Sequence, residues 1–535
     1  MIRGLEDLVS AQADRRPDAV AVLTGDARLT YGDLVFESLR LAAALRELGC
    51  RRGSRVCLFL PKSPWAIIAL LAVLEAGGVY VPVDVRSPAA RLARIVTACD
   101  PAVIVAADPA ARVLGEVLAA VPRGGGAPVV WLDRHLSSSA PFTPALTLDH
   151  LMSFSATRAE HPRRSSDPAH ILFTSGSTGE PKGVVVTHDS ALRFVQWGVR
   201  HFGIGAGERL SGSSPLHFDL STFDVFGAFA AGAELHPVPP ELHILPHKLA
   251  AFLRERRLTQ WFSVPSALSH MARADALAQG DFPELRRVIW CGEVLPTPVL
   301  QRWMRRVPHA RYTNLYGPTE ATIASSYHDV AGCPDDARAP VPIGRPCDGE
   351  SLLVLDENLD PLPPGKVGDL YIAGVGLSPG YWRDPGKSSE AFFLRMSNDG
   401  IAQRVYRTGD LARVGEDGLV YFVGRSDTQI KHLGHRVELG EIESALHAVQ
   451  GLAEHAVIAV STAGFEGTVI CCAFVPVEGA EVTPASLRAE LARLLPSYML
   501  PLRWLVLPAL PRNANGKIDR AAIKALFEAH VARAA

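Results

Sequence analysis

Cysteine is scarce and dispersed. The 535 residues hold eight Cys, none in a Cys-x-x-Cys spacing. That excludes a zinc ribbon or a disulfide framework and fits a reducing, cytoplasmic setting. Long apolar runs are missing too. The longest, Trp65 to Leu74, stops at Glu75 and falls short of the about 20 residues that a membrane helix needs, so no membrane partner is expected. The opening Met-Ile-Arg-Gly-Leu-Glu-Asp does not read as a signal peptide. Charge of one sign is not in excess: 54 Lys and Arg against 56 Asp and Glu give a formal net charge of −2. Without a long basic run, a nucleic-acid partner is not expected either. The short basic patch from Arg158 to Arg164 lies among Ser and Pro and reads as a solvated connector. No internal repeat or low-complexity block stands out, and no Gly-x-x-x-x-Gly-Lys-Ser/Thr loop occurs.

What is present is ample material for a core. The chain is 48% hydrophobic and 21% charged, long enough for more than one domain. Leu5 to Ala13 and Leu34 to Leu48 read as helices, the second with Asp33 as N-cap and Gly49 as stop. Val56 to Leu60, Val79 to Val83, Ala102 to Ala106 and Val129 to Leu132 read as strands, with a helix at Ile67 to Glu75 ended by Gly77-Gly78. Such alternation points to parallel sheets covered by helices. Gly124 to Gly126 and Ser137 to Ser139 read as surface loops.

One stretch organises the rest. Phe173-Thr174-Ser175-Gly176-Ser177-Thr178-Gly179-Glu180-Pro181-Lys182-Gly183 follows one apolar run and precedes another, Val184 to Val186. Glycines allow close backbone approach, hydroxyls and N–H groups can line an anion, and Lys182 adds a cation. This reads as a turn between two strands that holds a phosphate chain; taken alone it is also an ordinary glycine-rich hairpin. Further motifs follow in order. His217-Phe218-Asp219 places a carboxylate among apolar residues, which calls for a cation or a helix cap. Asn314-Leu315-Tyr316-Gly317-Pro318-Thr319-Glu320 joins an aromatic, a tight turn and an acid, suiting base stacking and a magnesium ligand. Tyr406-Arg407-Thr408-Gly409-Asp410 reads as an exposed acid suited to a sugar diol. Residues 424–443 and Asn513-Ala514-Asn515-Gly516-Lys517 complete the series.

Together with Leu29 to Leu34, Leu74 to Asp84 and Gly368 to Trp382, the ordered series resembles the adenylation domains of nonribosomal peptide synthetases, members of the adenylate-forming superfamily, over essentially the whole chain. The resemblance implies an α/β fold. Residues 1–426 would form a large domain of packed α/β layers with parallel-rich sheets and a small barrel-like part. Residues 427–535 would form a small α+β lid that turns about Asp427. It implies ATP and Mg²⁺ as cofactors. Thr174, Ser175, Gly176, Ser177, Thr178 and Gly179 would cradle phosphate beside Lys182. Tyr316 would stack on adenine, Asn314 and Gly317 would belong to the same cofactor site, and Thr319 and Glu320 would hold phosphate and the metal. Asp410 would bind ribose with Arg425 close by. Lys517 would bridge the substrate carboxylate and the α-phosphate, and His217 would flank that carboxylate and a thiol path.

The resemblance reaches the substrate. Asp219 would pair with an α-ammonium, implying a free amino acid. Leu220, Phe223, Phe262, Ile289, Cys291, Leu315, Ile323 and Ala324 would line an apolar pocket similar to that of free-standing enzymes that load L-proline for pyrrole formation. A polar side chain would lose hydrogen bonds there. L-Alanine or another small aliphatic amino acid is the near alternative, and an acyl- or aryl-CoA ligase the more distant one. After Lys517 only a short helix-like tail, Ala521 to Ala535, remains. With no carrier or condensation motif, the expected partner is a separate carrier protein bearing a phosphopantetheine arm, with an MbtH-like helper left open.

Overall fold

In the computed structural model the strand Arg287–Cys291 is buried at every position. Gln260–Ser263 and Arg311–Tyr316 run parallel to it on either side. Side chains alternate across such a strand, so both faces need apolar cover. Val288 and Trp290 accordingly enter one apolar cluster, while Ile289 and Cys291 enter another on the opposite face. The structure describes residues 2–534 apart from 26, 122–125, 135, 137–139, 159–163, 177–179, 397–399, 462–466 and 514–517; of 461 and 530–534 it describes the backbone only.

This strand belongs to a nine-stranded sheet, and a seven-stranded sheet lies before it in the chain. The seven-stranded one is parallel from Leu146–Thr147 to Pro168–Thr174 and closes on the antiparallel Lys182–Thr187. Between the sheets lie Tyr31–Glu47, Pro64–Glu75, His188–Phe202 and Leu220–Ala231. Their Leu41, Ile67, Phe194 and Phe226 share one cluster with Leu58 of one sheet and Leu210 of the other. Outer helices cover the remaining faces: Ala89–Cys99 and Ala111–Ala120 on the smaller sheet, Pro246–Glu255, Pro265–Arg273 and Thr297–Arg306 on the larger. The result is five alternating layers, the α/β arrangement expected from the strand–helix alternation. A separate five-stranded antiparallel sheet, which includes Val367–Gly374 and the long Ala402–Val414, stands where the barrel-like part was expected.

Residues after the strand Val420–Arg425 form their own apolar clusters, built on Leu439–His447, Leu452–Ser461, Thr468–Pro476 and Arg520–Ala534. A hairpin of Gln429–His432 and His435–Glu438 precedes them. This part rests on the larger one through a buried ion pair between Arg91 and Glu441 and through the Gly434 N–H, which donates to Glu293 at 2.6 Å.

The early elements fall close to where the sequence puts them, with two corrections. Tyr31–Glu47 is capped by Thr30, and Asp33 is the third residue of a capping box. Both residue types cap, and the hydroxyl lies at the turn where the chain leaves its strand. Arg158 is no free connector residue: it donates to the buried Glu75 at 2.7 Å. Gly124, Gly125 and residues 137–139 lie outside the described residues. No helix among the described residues is long and apolar enough to cross a membrane.

Candidate active site

Antiparallel pairing sets Thr174 directly opposite Lys182 at the base of the glycine-rich loop. Gly176 permits the loop's close turn, because a Cβ there would stand 2.2 Å from the Glu180 carbonyl oxygen. The Thr174 hydroxyl is buried without a hydrogen-bond partner among the described residues, as suits a group waiting for an anion. The Ser175 hydroxyl donates to the Arg436 carbonyl at 2.6 Å. Ser177, Thr178 and Gly179 lie outside the described residues, as does Lys517.

Glu320 lies behind this loop with no exposed surface. One carboxylate oxygen accepts from the Tyr381 hydroxyl at 2.8 Å and faces Lys182 Nζ at 3.4 Å; the other accepts from Arg436 at 2.7 Å. Burial alone would raise this carboxyl, but Arg436 and Lys182 outweigh it and hold it well below the usual carboxylate range. Burial and the Arg436 charge push Lys182 down, against the pull of Glu320. No group of three His, Cys, Asp or Glu that could hold a metal occurs among the described residues. One buried carboxylate fits a Mg²⁺ that takes its other ligands from nucleotide phosphate and water, the usual arrangement for that ion.

Asp410 departs from expectation. It is buried within the strand Ala402–Val414 rather than exposed on a loop. The Tyr316 hydroxyl and the Arg425 guanidinium both donate to it, and Arg425 also clasps Asp427 at 2.6 Å. The cause is local. Gly409 takes φ +74°, and the pairing with Val420–Arg425 brings Asp410 opposite Arg425. Asn314 donates to the Pro342 carbonyl at 2.8 Å and so fixes the strand end. Gly317 is obligatory there, since a Cβ would lie 2.5 Å from Ala324 Cα.

The eight residues that the resemblance assigns to an apolar pocket, Leu220, Phe223, Phe262, Ile289, Cys291, Leu315, Ile323 and Ala324, all fall in one buried cluster. Register explains it: Phe262 pairs with Ile289, and Cys291 with Leu315, on adjacent parallel strands. Phe223 meets Phe262 edge to face at 5.9 Å. Two glycines admit the Phe223 ring, for a Cβ at Gly198 or Gly227 would stand 2.5 or 3.0 Å from it. Thr322 and Ile323 hold the left-handed conformation, with φ of +54° and +74°. Burial pushes the Cys291 thiol up to about 12, which leaves it a neutral wall group.

Asp219 stands at the start of Leu220–Ala231, half-buried and without a side-chain cap bond to that helix. Its carboxylate accepts from the Thr319 hydroxyl at 2.7 Å, a contact that the sequence reading, which gave Thr319 to phosphate, did not include. Burial raises the Asp219 carboxyl, and Thr319 and Lys431 only partly oppose it. His217 is half-buried, 5.0 Å from the Phe218 ring, and burial pushes its imidazole down against the pull of Asp84.

Sequence reading gave no role to Tyr381, Lys431, Glu293 or Arg436. Tyr381 and Arg436 stand in quoted motifs, but their partner Glu320 is 61 and 116 residues away. Spacing carries no signal over that distance.

The chain belongs to the AMP-binding enzyme family. Residues 9–382 match that family, and residues 441–517 match the AMP-binding enzyme C-terminal domain. It is 35% identical to L-proline--[L-prolyl-carrier protein] ligase of Streptomyces coelicolor over 95% of this chain and 93% of that protein. It is 33% identical to tyrocidine synthase 1 of Brevibacillus parabrevis over 97% of this chain but 45% of that protein. The chain spans less than half the length of the large synthetases it matches. Among solved structures, holo-PA1221, an NRPS protein containing adenylation and PCP domains, superposes with a TM-score of 0.80 at 27% identity, covering 97% of this chain and 84% of that one.

Proposed function

We propose that this enzyme uses ATP to activate a free α-amino acid, L-proline by preference, as its aminoacyl adenylate and passes it to the phosphopantetheine thiol of a separate carrier protein. The observation that carries this reading is Asp219: a half-buried carboxylate at an apolar pocket, bonded to a neutral hydroxyl. A substrate ammonium would supply the cation that the site calls for. The Streptomyces coelicolor relative, a proline ligase by name, supports the choice of substrate. So does the tight contact of Phe223 with Phe262, which favours a compact ring. A closed ring also loses little rotamer freedom on binding.

In this scheme Thr174, Ser175, Gly176 and Lys182 hold the phosphates, and Tyr316 the adenine. Asp410 and Arg425, already paired, present oxygen and guanidinium edges to the ribose. The substrate carboxylate attacks the α-phosphate and pyrophosphate leaves. Lys517 brings the two anions together, which is chiefly positioning and charge stabilisation. Glu320 would hold Mg²⁺ together with nucleotide oxygens, and the bound ion would supply neutralisation of charge on the leaving pyrophosphate. The lid of residues 427–535 then turns about Asp427 to admit the carrier thiol past His217.

The test is amino-acid-dependent pyrophosphate exchange across a panel of substrates. L-Proline should be fastest, with alanine and other small aliphatics slower, and Phe262→Ala should admit larger apolar amino acids. Faster exchange with alanine, serine or an aryl acid would overturn the proline assignment. Product formation dependent on CoA would instead indicate a CoA ligase.

A further inference from the structure

We propose that the cleft at the far end of the strand Arg311–Tyr316 is a second ligand site, one that takes a small organic anion with an apolar body and, when filled, narrows the amino-acid pocket. The effect on the pocket rests on the proposed function; the binding itself does not.

This strand carries Tyr316 at one end and opens into the cleft at the other. At about 3.3 Å per residue the two ends lie roughly 16 Å apart. The cleft has a volume of about 570 Å³, within the about 300–1,000 Å³ usual for small-molecule sites. Phe202, Met304, Tyr312 and Val330 give it an apolar wall. Tyr312 offers only its ring, since its hydroxyl already donates to the Trp303 and Val307 carbonyls at 3.0 and 2.9 Å. The polar groups differ in what they leave open. Arg287 is buried and engaged, donating to Glu208 at 2.6 Å and to the Phe202 carbonyl at 2.7 Å. Asp329, the one carboxylate that lines the cleft among the described residues, accepts from Thr313 at 2.6 Å and pairs with His201 at 3.1 Å. Arg311 is exposed, and no carboxylate among the described residues pairs with it. Its charge acts instead on another cation, Arg287, whose guanidinium is pushed down first by burial and also by Arg286 and Arg311. A guanidinium so placed suits a carboxylate or sulfonate.

A single ring stands between the cleft and Phe223. Phe202 lines the cleft, and its centroid lies 6.0 Å from that of Phe223. Phe194, Gly198 and Phe202 recur every four residues on His188–Phe202, so they share one face. All three meet Phe223, the first at 5.6 Å between rings and Gly198 so closely that a Cβ would stand 2.5 Å from it. A further neighbour of that ring is Phe262, at 5.9 Å. Close-packed interiors transmit displacement. Pressure on Phe202 from a filled cleft therefore drives Phe223 off this helix face toward Phe262, into the space given to the substrate. A second route runs beside it. His201 stacks on Trp197 at 5.0 Å and meets Tyr327 at 4.4 Å, and Tyr327 lies across the strands from Leu315.

The experiment uses the full chain and 8-anilinonaphthalene-1-sulfonate as the probe. Cys333 lines the cleft, and of the eight cysteines it alone is exposed. Its alkylation by N-ethylmaleimide, followed by peptide mass, therefore reports on the cleft. At ten times its Kd the probe should slow that alkylation about tenfold, by mass action. N-phenyl-1-naphthylamine, the same rings without the sulfonate, should protect far less. Arg311→Gln should lose most of the protection while its probe-free proline exchange stays at the wild-type rate. In the wild type the saturating probe should raise the KM for L-proline about fivefold, at the low end of usual couplings, and leave the KM for ATP unchanged. Phe202→Leu should keep the protection and lose most of the KM effect. An unprotected Cys333, equal protection by both compounds, or a rise in KM that persists in Arg311→Gln would overturn the proposal. Absence of exchange with any amino acid in the probe-free wild type would overturn the adenylation reading instead, and protection of Cys333 would still decide the site.

Discussion

Lys517→Ala is expected to slow amino-acid-dependent pyrophosphate exchange about a hundredfold or more, as loss of a key oxyanion donor does. Transfer from preformed aminoacyl-AMP to the carrier should stay near the wild-type rate. On the proposed function, the asymmetry would follow from the C-terminal part presenting different residues in the two half-reactions. In the conformation described above, the hairpin bearing Arg436 lies on Glu320 and Ser175. The residues on either side of Lys517 are tied within the lid, Arg512 to Glu454 and Arg520 to Glu443. A lysine needed for the first half-reaction alone should matter little once the adenylate exists. Single-turnover measurement of each half-reaction separates the two. Near-normal exchange in the variant would remove Lys517 from the mechanism, and an equal loss in both halves would make it a structural residue.

Asp219→Ala is expected to abolish detectable exchange with every amino acid while leaving Mg²⁺·ATP binding intact. The substitution removes the carboxylate that a substrate ammonium would meet, and the Thr319 hydroxyl that donates to it loses its acceptor. Loss of one member of a buried charge pair commonly costs about 3–5 kcal/mol, enough at about 1.4 kcal/mol per tenfold to take exchange below ordinary detection. The measurement is exchange over the substrate panel beside a nucleotide titration. Wild-type turnover in Asp219→Ala would show that the pocket has been misassigned.

These expectations draw on parts of the chain that sequence made readable to different degrees. The strands behind the pocket were legible because apolar runs of four or five residues in strand–helix alternation leave little choice of architecture. The residues assigned to a pocket by resemblance fall in one buried cluster, and the structure supplies the physical reason for that: alternation sends Phe262, Ile289 and Cys291 to one face and Trp261 and Trp290 to the other. Asp410 was misread as exposed, because its burial depends on Tyr316, 94 residues earlier, and on the strand partner Arg425. Thr319 was given to phosphate and is found on Asp219, a contact that depends on how the helix Leu220–Ala231 abuts the turn after Arg311–Tyr316. Arg436 was part of a quoted motif, yet its significance comes from a carboxylate in the other part of the molecule.

The backbone at Thr322 and Ile323 has an evolutionary consequence. A left-handed conformation costs a residue with a Cβ roughly 1–2 kcal/mol, more for a β-branched one, and Ile323 is β-branched at φ +74°. Its side chain belongs at the same time to the buried cluster that the proposed function makes the substrate pocket. Glycine or asparagine would relieve that strain and also widen the pocket. Selectivity and robustness thus pull in opposite directions at this position. On that reading, a laboratory library selected for heat tolerance alone should drift toward promiscuity there.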